Sequence, residues 1–82
     1  MIKGKVVIVT GAARGLGQKY IIEMAKEGAQ VVFADINDCS ETEVKVSDIT
    51  NDYLSLNLDV TEFDSCGKLV SSAVEKFGKV DV

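Results

Sequence analysis

The chain is 82 residues long and carries nine Lys and Arg against thirteen Asp and Glu, a formal charge of −4. That length holds one domain or part of one, and excludes a cofactor domain beside a separate substrate domain. Apolar residues at 46% and charged residues at 27% are ordinary for a globular protein and exclude disorder, and lysines scattered over an acidic chain exclude a nucleic-acid backbone as partner.

No apolar run reaches the roughly 18 residues of a membrane span. The first block, Val6-Val7-Ile8-Val9, is too short for a signal core and leads straight into glycines. Cys39 and Cys66 cannot make a disulfide framework and read as reduced thiols of a cytoplasmic protein. There is no histidine, which removes the commonest metal ligand and the commonest general base at neutral pH; no metal site is expected.

In chain order, Lys5 to Thr10 holds an unbroken β-branched run that fits a strand covered on both faces. Gly11 to Gly17 is a glycine-rich turn. Leu16 to Lys26 reads as a helix, with Tyr20, Ile21, Met24 and Ala25 inward and Gln18, Lys19, Glu23 and Lys26 outward; Gly28 stops it. Gln30 to Asp35 is a second buried strand. Asn37 to Asp52 is polar with ambiguous periodicity, a short weak helix or an irregular loop. Tyr53 to Leu58 reads as a third strand, and Thr61 as an N-cap with Asp64 three residues on. Glu62 to Phe77 carries a helical stripe of Cys66, Leu69, Val70, Ala73, Val74 and Phe77. Val80-Asp81-Val82 reads as the start of a fourth strand. Strands alternating with helices predict parallel pairing through right-handed crossovers. In strand order 3-2-1 the first strand is an edge, Val- and Ile-rich and uncharged, which predicts that the isolated chain self-associates or is poorly stable.

The glycine turn is where chemistry is expected. Gly11 lets the chain leave the strand in a conformation that side chains disfavour. Gly15 removes a side chain where a ligand must approach the backbone, and Gly17 lets the helix lie close to the sheet. The helix then opens with unpaired N–H groups and its positive dipole end, a fit for a pyrophosphate. The plain alternative is a structural turn with no ligand; strand, turn, helix and acid falling in order favour the ligand. A G-x-G-x-x-G pattern fails at Tyr20, and the phosphate loop of nucleotide hydrolases fails at Leu16.

Asp35 ends the second strand, where an acid in a Rossmann unit accepts the ribose hydroxyls of the adenosine half, the plain alternative being a solvated strand-end Asp. Its charge repels a 2′-phosphate, favouring NAD over NADP, and Ile36 adds no basic group. Arg14 either neutralises a 2′-phosphate or lies on the surface, with the balance slightly toward the surface. Asp59 either accepts from the adenine amino group, with Val60 packing nearby, or merely begins the next turn; the two stand level.

Thr10-Gly11-Ala12-Ala13-Arg14-Gly15-Leu16-Gly17 resembles the T-G-x-x-x-G-x-G signature of the short-chain dehydrogenase/reductase family, in its shorter, non-epimerase branch. Asp35-Ile36 resembles that family's NAD-selecting strand end, Leu58-Asp59-Val60-Thr61 its adenine-contacting segment, and Phe77-Gly78-Lys79-Val80-Asp81-Val82 the approach to its fourth strand. The resemblance spans nearly the whole chain. It implies a Rossmann-type three-layer αβα fold with a parallel sheet, residues 1–82 being the N-terminal part of an NAD(P)-binding domain. It further implies hydride transfer between a nicotinamide and a small alcohol or carbonyl substrate, in a cytoplasmic homo-oligomer. The implied cofactor residues are Gly11, Arg14, Gly15, Leu16, Gly17, Asp35, Ile36, Asp59 and Val60. The family's Asn-Asn-Ala-Gly segment would begin just past Val82, and its catalytic Ser and Tyr-x-x-x-Lys further on. Tyr20 and Tyr53 lack the lysine four residues later, so no catalytic residue is expected here. The alternatives are a non-catalytic dinucleotide-binding module and an inactive relic.

Overall fold

A computed structural model describes residues 3–59 and 63–81. Its elements are β1 (Val6–Thr10), α1 (Gly15–Lys26), β2 (Gln30–Asp35), α2 (Ser40–Ser47), β3 (Tyr53–Asn57) and α3 (Phe63–Phe77). The three strands form one parallel sheet in the order β1-β2-β3, with Val7 opposite Val31 and Val31 opposite Tyr53. The expected Rossmann-type layering and strand order are therefore present.

The β-branched runs explain the layers. Side chains alternate across a strand, so a continuous apolar run needs cover on both faces. Val7, Val31 and Phe33 turn toward Ile21 and Ala25 of α1 and Val46 of α2. Val6, Val32 and Ala34 turn the other way, toward Leu69 and Ala73 of α3. Phe33 and Tyr53 stack across neighbouring strands with ring centroids 6.1 Å apart, and the Tyr53 hydroxyl donates to Glu43 Oε2 at 3.0 Å, tying α2 to the far strand. At the end of α1, Gly28 N–H donates to Ala25 O and Ala29 N–H to Met24 O, the two bonds of a Schellman closure.

Several side chains sit differently from their expected places. Tyr20 is 51% exposed, because Ile21 and Ala25 take the line of contact with the sheet and Tyr20 falls on the flank. Gln18 turns inward instead of out and binds Ala13 and Thr42. Among the described side chains of α3 only Leu69 and Ala73 are buried, while Cys66, Val70 and Val74 are exposed. The helix sits mainly over β1 and β2, touching β3 through the partly buried Leu54 and Leu56 and through Lys76 Nζ, which donates to Tyr53 O at 2.8 Å, a narrower seat than its apolar stripe. The ambiguous segment forms a true helix at Ser40–Ser47. Thr61, the expected N-cap, lies outside the described residues.

Residues 80 and 81 do not form a strand, and Val82 is outside the described residues. Asp81 nonetheless lies beside β1: its N–H donates to Val6 O at 2.9 Å, and its carboxylate accepts Val6 N–H at 2.9 Å. Lys79 Nζ stands 3.1 Å from the same carboxylate. The start of this edge is therefore charged, contrary to the expectation from the strand's own residues, and charge on an edge opposes strand addition.

The two cysteines are thiols in unlike settings. Burial raises the Cys39 thiol above its ordinary pKa, and the charges of Asp35, Asp38 and Glu43 push it the same way. Cys66 is exposed on α3. The thiolate is the reactive form, so iodoacetamide at neutral pH should alkylate Cys66 first and reach Cys39 only on unfolding. Peptide mass mapping over time reads this directly, and equal native rates would contradict the packing around Cys39.

Candidate functional site

The glycine turn closes on itself. Gly11 and Gly15 have φ of 69° and 65°, in the left-handed region that side chains disfavour. A Cβ at either would meet nothing within 4 Å, so open space lies over the turn. Gly17 differs: a Cβ there would overlap the Gly11 carbonyl oxygen and stand 2.8 Å from its carbon. The close approach that fixes Gly17 is helix against turn, not helix against sheet.

α1 begins with its donors uncommitted to side chains. Arg14, at its N-cap, is extended and makes no side-chain cap hydrogen bond, and the first turn carries no acidic residue. The opening N–H groups and the positive dipole end thus carry no side-chain cap and no acidic neighbour from the helix itself.

Asp35 sits half-buried at the end of β2 and faces this turn. Its Oδ2 accepts the Ala13 N–H at 3.0 Å and its Oδ1 accepts the Asn37 N–H at 2.9 Å. Those two bonds, the Asn37 one foremost, hold the carboxyl below the usual carboxylate range; Ile36 N–H and the Arg14 charge add smaller pulls against burial. Each oxygen of an ionised carboxylate has capacity for a second donor, so the group can still take hydroxyl hydrogens from a ligand. Arg14 lies on the surface and lends Asp35 a weak electrostatic pull.

Leu16, Ile36 and Asp59 lie at the same end of the sheet. Leu16 and Ile36 are 64% and 61% exposed. Asp59 is half-buried, one residue past Leu58, whose N–H donates to Asp35 O at 3.1 Å. Ligands of open parallel sheets bind outside the carboxyl ends of the strands, and Gly11, Asp35 and Asp59 all stand there. Val60 is outside the described residues. A cleft of about 340 Å³ lined by Ala13, Arg14, Asn37, Asp38 and Glu41 opens beside the turn. A larger groove of about 620 Å³ lies between β3 and α3, lined by Leu56, Leu58, Lys68 and Ser72 among others; no residue of the glycine turn lines it.

The sequence reading overlooked Thr42, Gln18 and Asn37. Thr42 is fully buried and donates to Ala12 O at 2.6 Å, and Asn57 Nδ2 donates to Asn37 O at 3.1 Å. A signal for α2 was present: Asp38 followed three residues later by Glu41 is a helix-start pattern. In the structure the Asp38 carboxylate accepts the Ser40 N–H at 3.0 Å and its hydroxyl at 2.6 Å. Among the described residues no group of three or more His, Cys, Asp or Glu is placed to hold a metal ion, and no described helix is long and apolar enough to cross a membrane.

Comparison with known proteins agrees with this geometry. A family model described as short chain dehydrogenase matches residues 5–82. The chain is 37% identical over 81 residues to a 2-dehydro-3-deoxy-D-gluconate 5-dehydrogenase of Dickeya dadantii, covering 99% of this chain and 32% of that protein. The chain thus spans about a third of the length of the curated relatives it matches. Among solved structures, a carveol dehydrogenase of Mycobacterium avium in complex with NAD superposes with a TM-score of 0.90 at 30% identity, over 98% of this chain and 34% of that one. A 3-ketoacyl-(acyl-carrier-protein) reductase of Brucella melitensis complexed with NADH gives 0.84 at 33% identity, over 99% of this chain and 33% of that one.

Proposed function

The chain belongs to the short-chain dehydrogenase family, and from that premise we propose that it is the dinucleotide-binding part of an NAD-linked oxidoreductase acting on an alcohol or carbonyl. The observation that carries the reading is the contact of turn and acid. One hydrogen bond, Ala13 N–H to Asp35 Oδ2, sets an anion-ready helix start beside an ionised carboxylate.

Each residue then has a task. The N–H groups opening α1 hold the pyrophosphate, with the space over Gly11 and Gly15 admitting it. Asp35 takes the hydroxyls of the adenosine ribose through its unspent lone pairs and disfavours a 2′-phosphate by its charge. Asp59 and Val60 border the adenine, and Leu16 and Ile36 flank the site. When bound, the nicotinamide supplies the hydride acceptor or donor; no residue of this chain is assigned to substrate or proton transfer. Cytoplasmic placement, supported by two thiols rather than a disulfide, and assembly as a homo-oligomer complete the proposal.

Calorimetric titration of the protein with NAD and NADP tests it. Saturable NAD binding, at least tenfold tighter than NADP, is expected. Absence of binding to either would overturn the reading.

A further inference from the structure

We propose that Thr42, on α2, is a positioning residue for the pyrophosphate, acting through the backbone of the glycine turn; this rests on the dinucleotide reading above. Ala12 and Ala13, at the middle of the turn, are 0% and 7% exposed, and all four of their backbone polar groups are engaged. Ala12 N–H donates to Ala34 O at 3.2 Å and Ala13 N–H to Asp35 Oδ2 at 3.0 Å. On the acceptor side, Ala12 O takes the Thr42 hydroxyl at 2.6 Å and Ala13 O takes Gln18 Nε2 at 3.3 Å. Thus β2 holds the two donors, while α1 and α2 hold the two acceptors.

Thr42 is the junction of that second pair. Its single proton goes to Ala12 O, with Ala13 O 3.2 Å away, and its oxygen accepts the other hydrogen of Gln18 Nε2 at 2.9 Å. Lys45 Nζ then donates to Gln18 Oε1 at 3.3 Å and fixes the amide's sense. Thr42 is the buried polar side chain among the described residues, placed inside a helix where threonine is a poor former. Its hydroxyl crosses to another element 30 residues away instead of bonding back within its own helix. The peptide planes it fixes directly precede Arg14 to Gly17, so they set where the open N–H groups of α1 point.

Replacing Thr42 by valine keeps the shape and removes the hydroxyl, leaving Ala12 O and one Gln18 hydrogen without partners. Calorimetry with NAD and competition NMR with adenosine, which lacks phosphate, read the result well below the melting temperature. Expected for Thr42→Val is a Kd for NAD raised about tenfold, adenosine binding changed less than twofold, and recovery to within twofold in Thr42→Ser. Should Thr42→Val not fold, Gln18→Met removes the Ala13 acceptor's donor and is expected to weaken NAD about threefold by the same route. A lowered melting temperature with unchanged NAD affinity would make Thr42 merely structural and overturn the proposal, as would equal weakening of NAD and adenosine. No NAD binding by the unmodified protein would instead bring down the dinucleotide reading itself, a result obtained before any variant is made.

Discussion

Gly17→Ala should destabilise the fold by about 3 kcal/mol and abolish NAD binding, the largest effect expected from one methyl group in this chain. The new carbon would overlap the Gly11 carbonyl oxygen, with the Gly11 carbon at 2.8 Å and the Ala12 Cα at 3.2 Å. All three neighbours are backbone, so no side chain can swing away. Relief requires that α1 lift from the turn, which breaks the convergence of Gly11 with the first N–H groups. For a chain of this size total stability is on the order of 4–12 kcal/mol, so the loss is a large fraction of it. Gly67→Ala is the matched contrast. It lies within α3 with nothing within 4 Å of the added carbon, and alanine gains up to about 1 kcal/mol over glycine inside a helix. Thermal melts of the two variants should shift in opposite directions. A tolerated alanine at 17 would mean that the turn is more open than its geometry here.

How far the sequence revealed this molecule depended on the reach of each interaction. Val6 to Val9 and Val31 to Ala34 read correctly because burial on both faces leaves a continuous apolar run that needs no partner to be recognised. The strand-to-helix turn and the Gly11 conformation read correctly because their constraints lie within seven residues, although the crowding at Gly17 proved to come from Gly11. α2 was legible only as a short weak helix or a loop: only Thr42 and Val46 of its eight residues are buried, too few to set a period. Thr42 acts on atoms 29 and 30 residues away, and Asp81 meets Val6 across 75. No local pattern encodes either. The stripe on α3 erred in the other direction. Its period was right, but the width of the seat beneath it is fixed by neighbouring strands and not by the helix.

Asp35→Asn is expected to weaken NAD by ten- to a hundredfold, since hydrogen bonds to a charged group are worth about 1.5–3 kcal/mol and tenfold in Kd is about 1.4 kcal/mol. NADP should lose less or gain, because the charge that repels a 2′-phosphate is gone while Arg14 stays. In the double variant with Arg14→Ala, any gain for NADP should vanish if Arg14 faces that phosphate and persist if it is only a surface charge. The same substitution has an acid signature. The Asp35 carboxyl is held below its ordinary pKa first by Asn37 N–H and then by Ala13 N–H. Its folded value is therefore lower than its unfolded value of about 3.9. Such a group contributes stability that is complete above the unfolded pKa and is lost as pH falls through the folded one. Wild type should accordingly lose stability below about pH 4, and Asp35→Asn should lose it less steeply. Asp38 and Asp81 are lowered in the same direction, so some acid sensitivity remains in the variant. Chemical denaturation between pH 3 and 7 measures the slope, and titration with both nucleotides measures the selectivity. A variant whose slope flattens while its NAD to NADP ratio stays at the wild-type value would leave Asp35 as a strut of the turn and remove it from the ribose site.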